Sequence, residues 1–196
     1  VCHTVIPDRI VAATYLTAAA IAGGDVLIDS MIPAHVATVT QLLTGAGCTV
    51  DIGESKVRIR SGGALTAMPT VRTMPFPGFP TDAQALLMAL ATQCRGTTIF
   101  IENIFDGRYR HAGELMRMGA DIKVMGRVAI VTGGRPLSGA RAQATDLRGG
   151  AAVTLAALAA RGRSEITCLE HIDRGYECLE CALKSLGADI ERIEQR

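Results

Sequence analysis

Tryptophan is absent from the 196 residues and aromatic residues make up only 4% of them. That leaves no set of stacking platforms for single-stranded nucleic acid. Charge of one sign is missing as well. Twenty Lys and Arg face nineteen Asp and Glu, for a net charge of +1. A protein that grips phosphate backbones needs a basic excess, so nucleic acid is not expected as a partner. No apolar run approaches the roughly 18 residues of a membrane span, since the stretch from Ala151 to Ala160 ends at Arg161. No membrane partner is expected. No basic-then-apolar leader opens the sequence, and it starts at Val1 without a Met. The segment Val1-Cys2-His3-Thr4-Val5-Ile6 reads as the inside of a strand, so the chain is expected to be a piece of a longer protein. Phosphate-binding glycine fingerprints are lacking too: Gly23-Gly24 and Gly62-Gly63 have the wrong spacing.

Hydrophobic residues are 48% of the chain, ample for a packed core. The six cysteines, Cys2, Cys48, Cys94, Cys168, Cys178 and Cys181, are irregularly spaced. They read as reduced, mostly buried small hydrophobes. Cys178 and Cys181 form a single CxxC, a weak zinc signal without a second pair. No metal and no cofactor are expected.

What the sequence does contain is a threefold repeat. Gly47, Gly119 and Gly187 each precede a short strand-like run and lie 72 and 68 residues apart. Gly24, Gly96 and Gly162 precede them by 23, 23 and 25 residues. Asp8, Asp82 and Asp146 stand 16, 14 and 16 residues before those glycines and open Ala/Leu-rich stretches. An Asp there reads as a helix N-cap. In the middle unit residues 83–93 are apolar nearly all round and predict a buried helix ended by Gly96. A strand over 97–102 follows, then a helix over 111–118, a hairpin of 121–124 with 128–132, and a short strand over 140–144. The expected architecture is α/β, with three β-α-β-α-β-β units of about 1–68, 69–138 and 139–196. Helices lie inside and sheets outside, an inside-out α/β barrel. The third unit is incomplete, because its hairpin strand near Asp189–Arg192 has no partner in this chain.

Four further segments narrow the reading. They are Met74-Pro75-Phe76-Pro77-Gly78-Phe79-Pro80-Thr81-Asp82, Asn103-Ile104-Phe105-Asp106-Gly107-Arg108, Ala144-Thr145-Asp146-Leu147-Arg148 and His171-Ile172-Asp173-Arg174-Gly175-Tyr176-Glu177. In this order they resemble the UDP-N-acetylglucosamine 1-carboxyvinyltransferases, a branch of the enolpyruvyl transferases, over essentially the whole chain. The resemblance is to one of that family's two domains, the C-terminal one. It implies a bacterial cytoplasmic enzyme that moves the enolpyruvyl group of phosphoenolpyruvate to the 3-hydroxyl of UDP-N-acetylglucosamine. It also implies a partner domain that supplies a Lys-Asn pair and a loop cysteine, and an isolated chain that does not turn over.

By that resemblance Asp82, Asp146 and Arg174 carry catalysis, while Asp82, Ile104, Phe105, Arg108, Arg148 and Arg174 bind substrate. Each has a plainer reading. Asp82 and Asp146 sit where caps sit. Arg108 suits a surface pair with Asp106 or Glu114, and Arg148 a solvated face. Ile104 and Phe105 look like strand-end core. His111 and His171 read as hydrogen-bonded structural histidines. Gly149-Gly150 stands where a small Ala/Ser pair is expected and weakens the helix start by up to about 1 kcal/mol per residue. Two rival functions remain open: enolpyruvyl transfer to shikimate 3-phosphate, and a non-catalytic repeat domain that binds a partner or nucleotide.

Overall fold

Three helices of the chain have no polar face, and their composition decides the architecture. The computed structural model describes residues 2–193. In it α1 (Arg9–Ala22), α3 (Thr81–Gln93) and α5 (Leu147–Ala159) pack against one another at the centre. Leu16, Leu86, Leu87, Met88, Leu90 and Leu155 are fully buried there. Each such side chain contributes roughly 1.5–3 kcal/mol through its removal from water. A helix that is apolar all round has no face to give to solvent, so it becomes the core rather than its cover.

The strands then surround the helices. β1 (Asp25–Ile28), β2 (Thr49–Ile52) and β3 (Val57–Arg60) form an antiparallel sheet of order β1-β3-β2. β4 (Val71–Arg72), β5 (Gly96–Ile101), β6 (Asp121–Met125) and β7 (Val128–Gly133) form the second, of order β4-β5-β7-β6. Its β4–β5 pair is parallel. β8 (Arg141–Gln143) and β9 (Glu165–Thr167) pair in parallel as the third. One face of each ladder is apolar: Val57 and Ile59 of β3 and Ala129 and Val131 of β7 are buried, while Arg58 between the first two and Thr132 just after Val131 are exposed. The second helices are α2 (Ala37–Gly45), led in by a 3-10 turn at Pro33–Val36, then α4 (Arg110–Arg117), and in the last unit α6 (Glu170–Asp173) with α7 (Leu179–Ser185). The expected α/β order of helices inside and sheets outside is the observed one.

Local details differ from the sequence expectations in four places. Gly96 does not end α3. That helix closes at Gln93 with Cys94 extended, and Gly96, at φ +112°, starts β5. The hairpin strand expected near 189–192 does not form among the described residues, where 188–193 carry no regular structure. A hairpin strand is held by ladder hydrogen bonds, and none of the described residues pairs with this segment. Arg192 instead reaches Asp173 at 2.6 Å and Glu180 at 3.3 Å. Cys178 and Cys181 are joined in a disulfide rather than reduced, their Cα atoms 5.3 Å apart at the first turn of α7, within bonding range. The described cysteines Cys2, Cys48, Cys94 and Cys168 are free.

The fourth correction concerns Gly149 and Gly150. Both are buried at the start of α5. A Cβ on Gly150 would lie 2.7 Å from the Ala144 Cβ and 2.7 Å from Ile172 Cγ1. On Gly149 it would meet His111 Cβ at 3.1 Å. The pair lets α5 seat against α4, α6 and the strand end. It is a packing requirement rather than a weak point.

Candidate functional site

The three inner helices point their N-terminal ends to one side of the molecule. Arg9 at the start of α1 and Thr81 and Asp82 at the start of α3 line one cleft, and Arg148 at the start of α5 reaches Asp82. Three positive helix ends therefore converge there.

Asp8 and Asp146 cap their helices as expected. Asp8 Oδ1 accepts from the backbone N–H of Ile10 and Val11, and Asp146 Oδ1 from those of Arg148 and Gly149. Asp82 does not cap. The residue before α3 is Pro80, with no side-chain cap, and Asp82 is the second residue of the helix. The 14-residue spacing to Gly96, against 16 in the other units, places Asp82 two positions further in, about 200° round the helix. Its carboxylate is thereby released. Oδ1 accepts from the Arg108 guanidinium at 2.5 Å and Oδ2 from that of Arg148 at 3.2 Å. The expected Arg108 pairs with Asp106 or Glu114 are not made: Asp106 holds Arg127, and Glu114 holds Arg117. Asp82 remains 38% exposed, with Arg108 at 28% and Arg148 at 15%, so the cluster is open to a ligand yet partly shielded.

The cleft beside Asp82 has a volume of about 390 Å³. One wall is the proline-rich loop 74–80 and another is Ile104 with Phe105. Ile104 is half-buried and Phe105 is exposed, so the pair is not strand-end core. Phe105 lies under the Arg108 guanidinium, 5.5 Å from its ring centre. At the far lip Arg9 lies over Phe76 at 5.9 Å, and His35 meets that ring edge-on.

Asp146 and Arg174 stand apart from this pair of contacts. Asp146 uses Oδ1 for the cap and keeps Oδ2 3.5 Å from the Thr145 hydroxyl. Arg174 follows α6, is exposed and pairs with no carboxylate among the described residues. It makes no hydrogen bond or ion pair with Asp82, which is held by Arg108 and Arg148. Its link to the cluster is the turn it begins. Two residues on, Tyr176 is buried, shares a 2.8 Å hydrogen bond with Thr14 of α1, and lies beneath the Arg148 guanidinium at 6.0 Å.

Three features here escaped the sequence. Glu102, just past β5, is fully buried and gathers four hydrogen bonds from both walls of the cleft. Only the position of a lone carboxylate at a strand end could have hinted at it. Tyr176 is the hinge between Arg148 and α1. His111 is fully buried, but its Nε2 has no hydrogen-bond partner among the described residues, contrary to the expected bonded histidine. Burial pushes its pKa down to about 4; the Asp146 charge opposes this and Arg108 adds to it. Its ring is therefore neutral at physiological pH. Tyr109 is raised to about 12, by burial first and the Glu102 charge second. Among the described residues the one cluster of three metal-ligand types, Cys178, Glu180 and Cys181, contains the disulfide, whose sulfurs are not free thiolates.

Chemically, the arrangement is a carboxylate between two guanidinium groups at the mouth of a cleft, with helix N-termini behind it. It suits a polyanionic ligand bearing a hydroxyl.

The sequence profile described as EPSP synthase (3-phosphoshikimate 1-carboxyvinyltransferase) matches residues 1–193. The UDP-N-acetylglucosamine 1-carboxyvinyltransferase 1 of Caldanaerobacter subterraneus subsp. tengcongensis is 50% identical over 97% of this chain and 46% of its own length. The UDP-N-acetylglucosamine 1-carboxyvinyltransferase of Desulfofundulus thermocisternus is 48% identical over 97% of this chain and 78% of its own. The crystal structure of the enolpyruvyl transferase NikO from Streptomyces tendae superposes with a TM-score of 0.87 at 31% identity, over 96% of this chain and 45% of that one. The chain spans about half the length of most of the curated relatives it matches. With the profile matched over nearly every residue and relatives this near, the chain belongs to the EPSP synthase family of carboxyvinyltransferases, on its UDP-N-acetylglucosamine 1-carboxyvinyltransferase branch.

Proposed function

We propose that this chain is one lobe of an enzyme that moves the enolpyruvyl group of phosphoenolpyruvate onto the 3-hydroxyl of UDP-N-acetylglucosamine and releases phosphate. This reaction is the first committed step of bacterial peptidoglycan synthesis, and the setting is cytoplasmic. One observation carries the reading: Asp82 is the helix-start carboxylate that is not spent on a cap.

The chemistry is an addition followed by an elimination. The sugar oxygen attacks C2 of phosphoenolpyruvate while its proton passes to Asp82, and a general acid protonates the methylene carbon. The resulting ketal phosphate then loses a methyl proton, the C–O bond to phosphate breaks, and the enol ether forms. Asp82 needs a free oxygen to take the proton, and its longer contact, with Arg148, is the one to give way. Arg148 and Arg108, once loosened, face the anionic groups of the second substrate. Arg174, unpaired with any described carboxylate, serves the same substrate from the neighbouring turn. Asp146 orients the start of α5 and hence Arg148. Ile104 and Phe105 line the cleft against the nucleotide sugar. The other lobe supplies the proton donor and the remaining cations, so the isolated chain does not turn over.

The family description itself favours a second acceptor, shikimate 3-phosphate. In the whole protein, phosphate release from phosphoenolpyruvate with UDP-N-acetylglucosamine, and none with shikimate 3-phosphate, supports the first reading; the reverse refutes it. Asp82→Asn is expected to lower kcat by about 10²–10⁴-fold, the usual worth of a general base.

A further inference from the structure

We infer that Glu102 is a positioning residue that sets the shape of the acceptor cleft by tying its two walls to one buried carboxylate. It rests on the reading above that the cleft beside Asp82 takes the acceptor.

Glu102 is 0% exposed. Its Oε1 accepts from the Thr73 hydroxyl at 2.8 Å, the Ile104 N–H at 2.9 Å and the Phe105 N–H at 3.2 Å. Its Oε2 accepts from the Thr81 hydroxyl at 2.9 Å. Thr73 and Thr81 bracket the proline-rich loop 74–80, one at each end. The loop is therefore pinned at both ends to the group that also pins Ile104 and Phe105. Thr73 closes the ring: its hydroxyl accepts from the Asn103 N–H at 2.8 Å, and its carbonyl from the Asn103 side chain at 3.2 Å. The Glu102 backbone is itself fixed by its N–H to the Arg127 carbonyl at 2.8 Å.

No Lys, Arg or His among the described residues pairs with this carboxylate; two hydroxyls and two backbone N–H groups carry its charge. Such an arrangement is demanding, since every donor becomes an orphan if the acceptor leaves. The other units do without it. Asp29, the matching strand-end residue of the first unit, is exposed and accepts, among the described residues, from the N–H of Ser30 alone. Cys168 stands at that place in the third. The carboxylate hub is present where the cleft is, and Thr81 is the residue next to Asp82.

The test is made in the whole protein. Glu102→Ala is expected to raise KM for UDP-N-acetylglucosamine at least tenfold and KM for phosphoenolpyruvate less than twofold. Misplacing reacting groups by about 1 Å is known to cost up to 10²-fold. Glu102→Gln keeps the oxygen that serves three of the four donors, and it should restore KM to within threefold. Thr81→Val, which removes one contact only, is a milder variant should the alanine protein fold poorly. Amide hydrogen exchange is read in the same variants without substrate. Ile104 and Phe105 should exchange at least tenfold faster in Glu102→Ala and recover in Glu102→Gln. Equal changes in both KM values, or unchanged exchange at those two amides, overturn the proposal. If the wild-type protein does not use UDP-N-acetylglucosamine at all, the functional reading fails, while the exchange measurement still decides whether Glu102 holds the walls.

Discussion

Replacing His111 by Phe is expected to remove a specific acid sensitivity of folding. The imidazole is fully buried among α4, the start of α5 and the Asp146–Arg108 neighbourhood, and its pKa in the folded chain is pushed down to about 4 from 6.5. Between those values the unfolded chain binds a proton that the folded chain refuses. Stability therefore rises with pH from about 4 to about 6.5 and is flat above that. Taking both pKa values, this one group costs almost nothing at pH 7.5 and about 2 kcal/mol at pH 5. The assay is urea unfolding of wild type and His111→Phe at pH 7.5 and 5. Carboxylate titrations are shared by both proteins and cancel in the difference. The gap between the two unfolding free energies should move by about 2 kcal/mol in favour of the variant on acidification, whatever its value at pH 7.5. An unchanged gap would mean that the ring takes up a proton in the folded state without penalty, and the account of its burial would be wrong. His111→Gln, also non-titrating, should behave the same way.

Gly150→Ala is expected to destabilise the chain by about 1–3 kcal/mol through overpacking against Ala144 and Ile172, although alanine favours helix. A higher urea midpoint for the variant would contradict that packing. Leu87→Ala at the centre of α3 should cost about 2–5 kcal/mol by the same measurement. Thiol titration of the unfolded, unreduced protein should find the four cysteines outside the Cys178–Cys181 bond, rising to six after reduction.

Much of the architecture follows from short-range patterns. The central helices are apolar all round and so are buried wherever they fall in the chain. Asp8 and Asp146 cap because the N–H groups they serve are two and three residues away. The β6–β7 hairpin forms because alternating runs flank a turn at Gly126. The four motifs also point to the family that the comparisons establish. Even the release of Asp82 left a trace, in the two-residue shortfall of its spacing to Gly96.

What the sequence could not state is who meets whom across the fold. Asp82 finds Arg108 and Arg148 at separations of 26 and 66 residues, and a local capping rule contains neither partner. Glu102 becomes a hub only because Thr73, Thr81 and the 104–105 turn arrive around it. Gly149 and Gly150 look like weak helix formers until α4 and α6 are packed onto them. Residues 188–193 form no strand because no ladder partner for them is found among the described residues. Caps, turns and apolar periodicity are set by neighbours along the chain and are written in it. Ion pairs, close approaches and ladder partners depend on distances fixed only when the three helices and their sheets pack together.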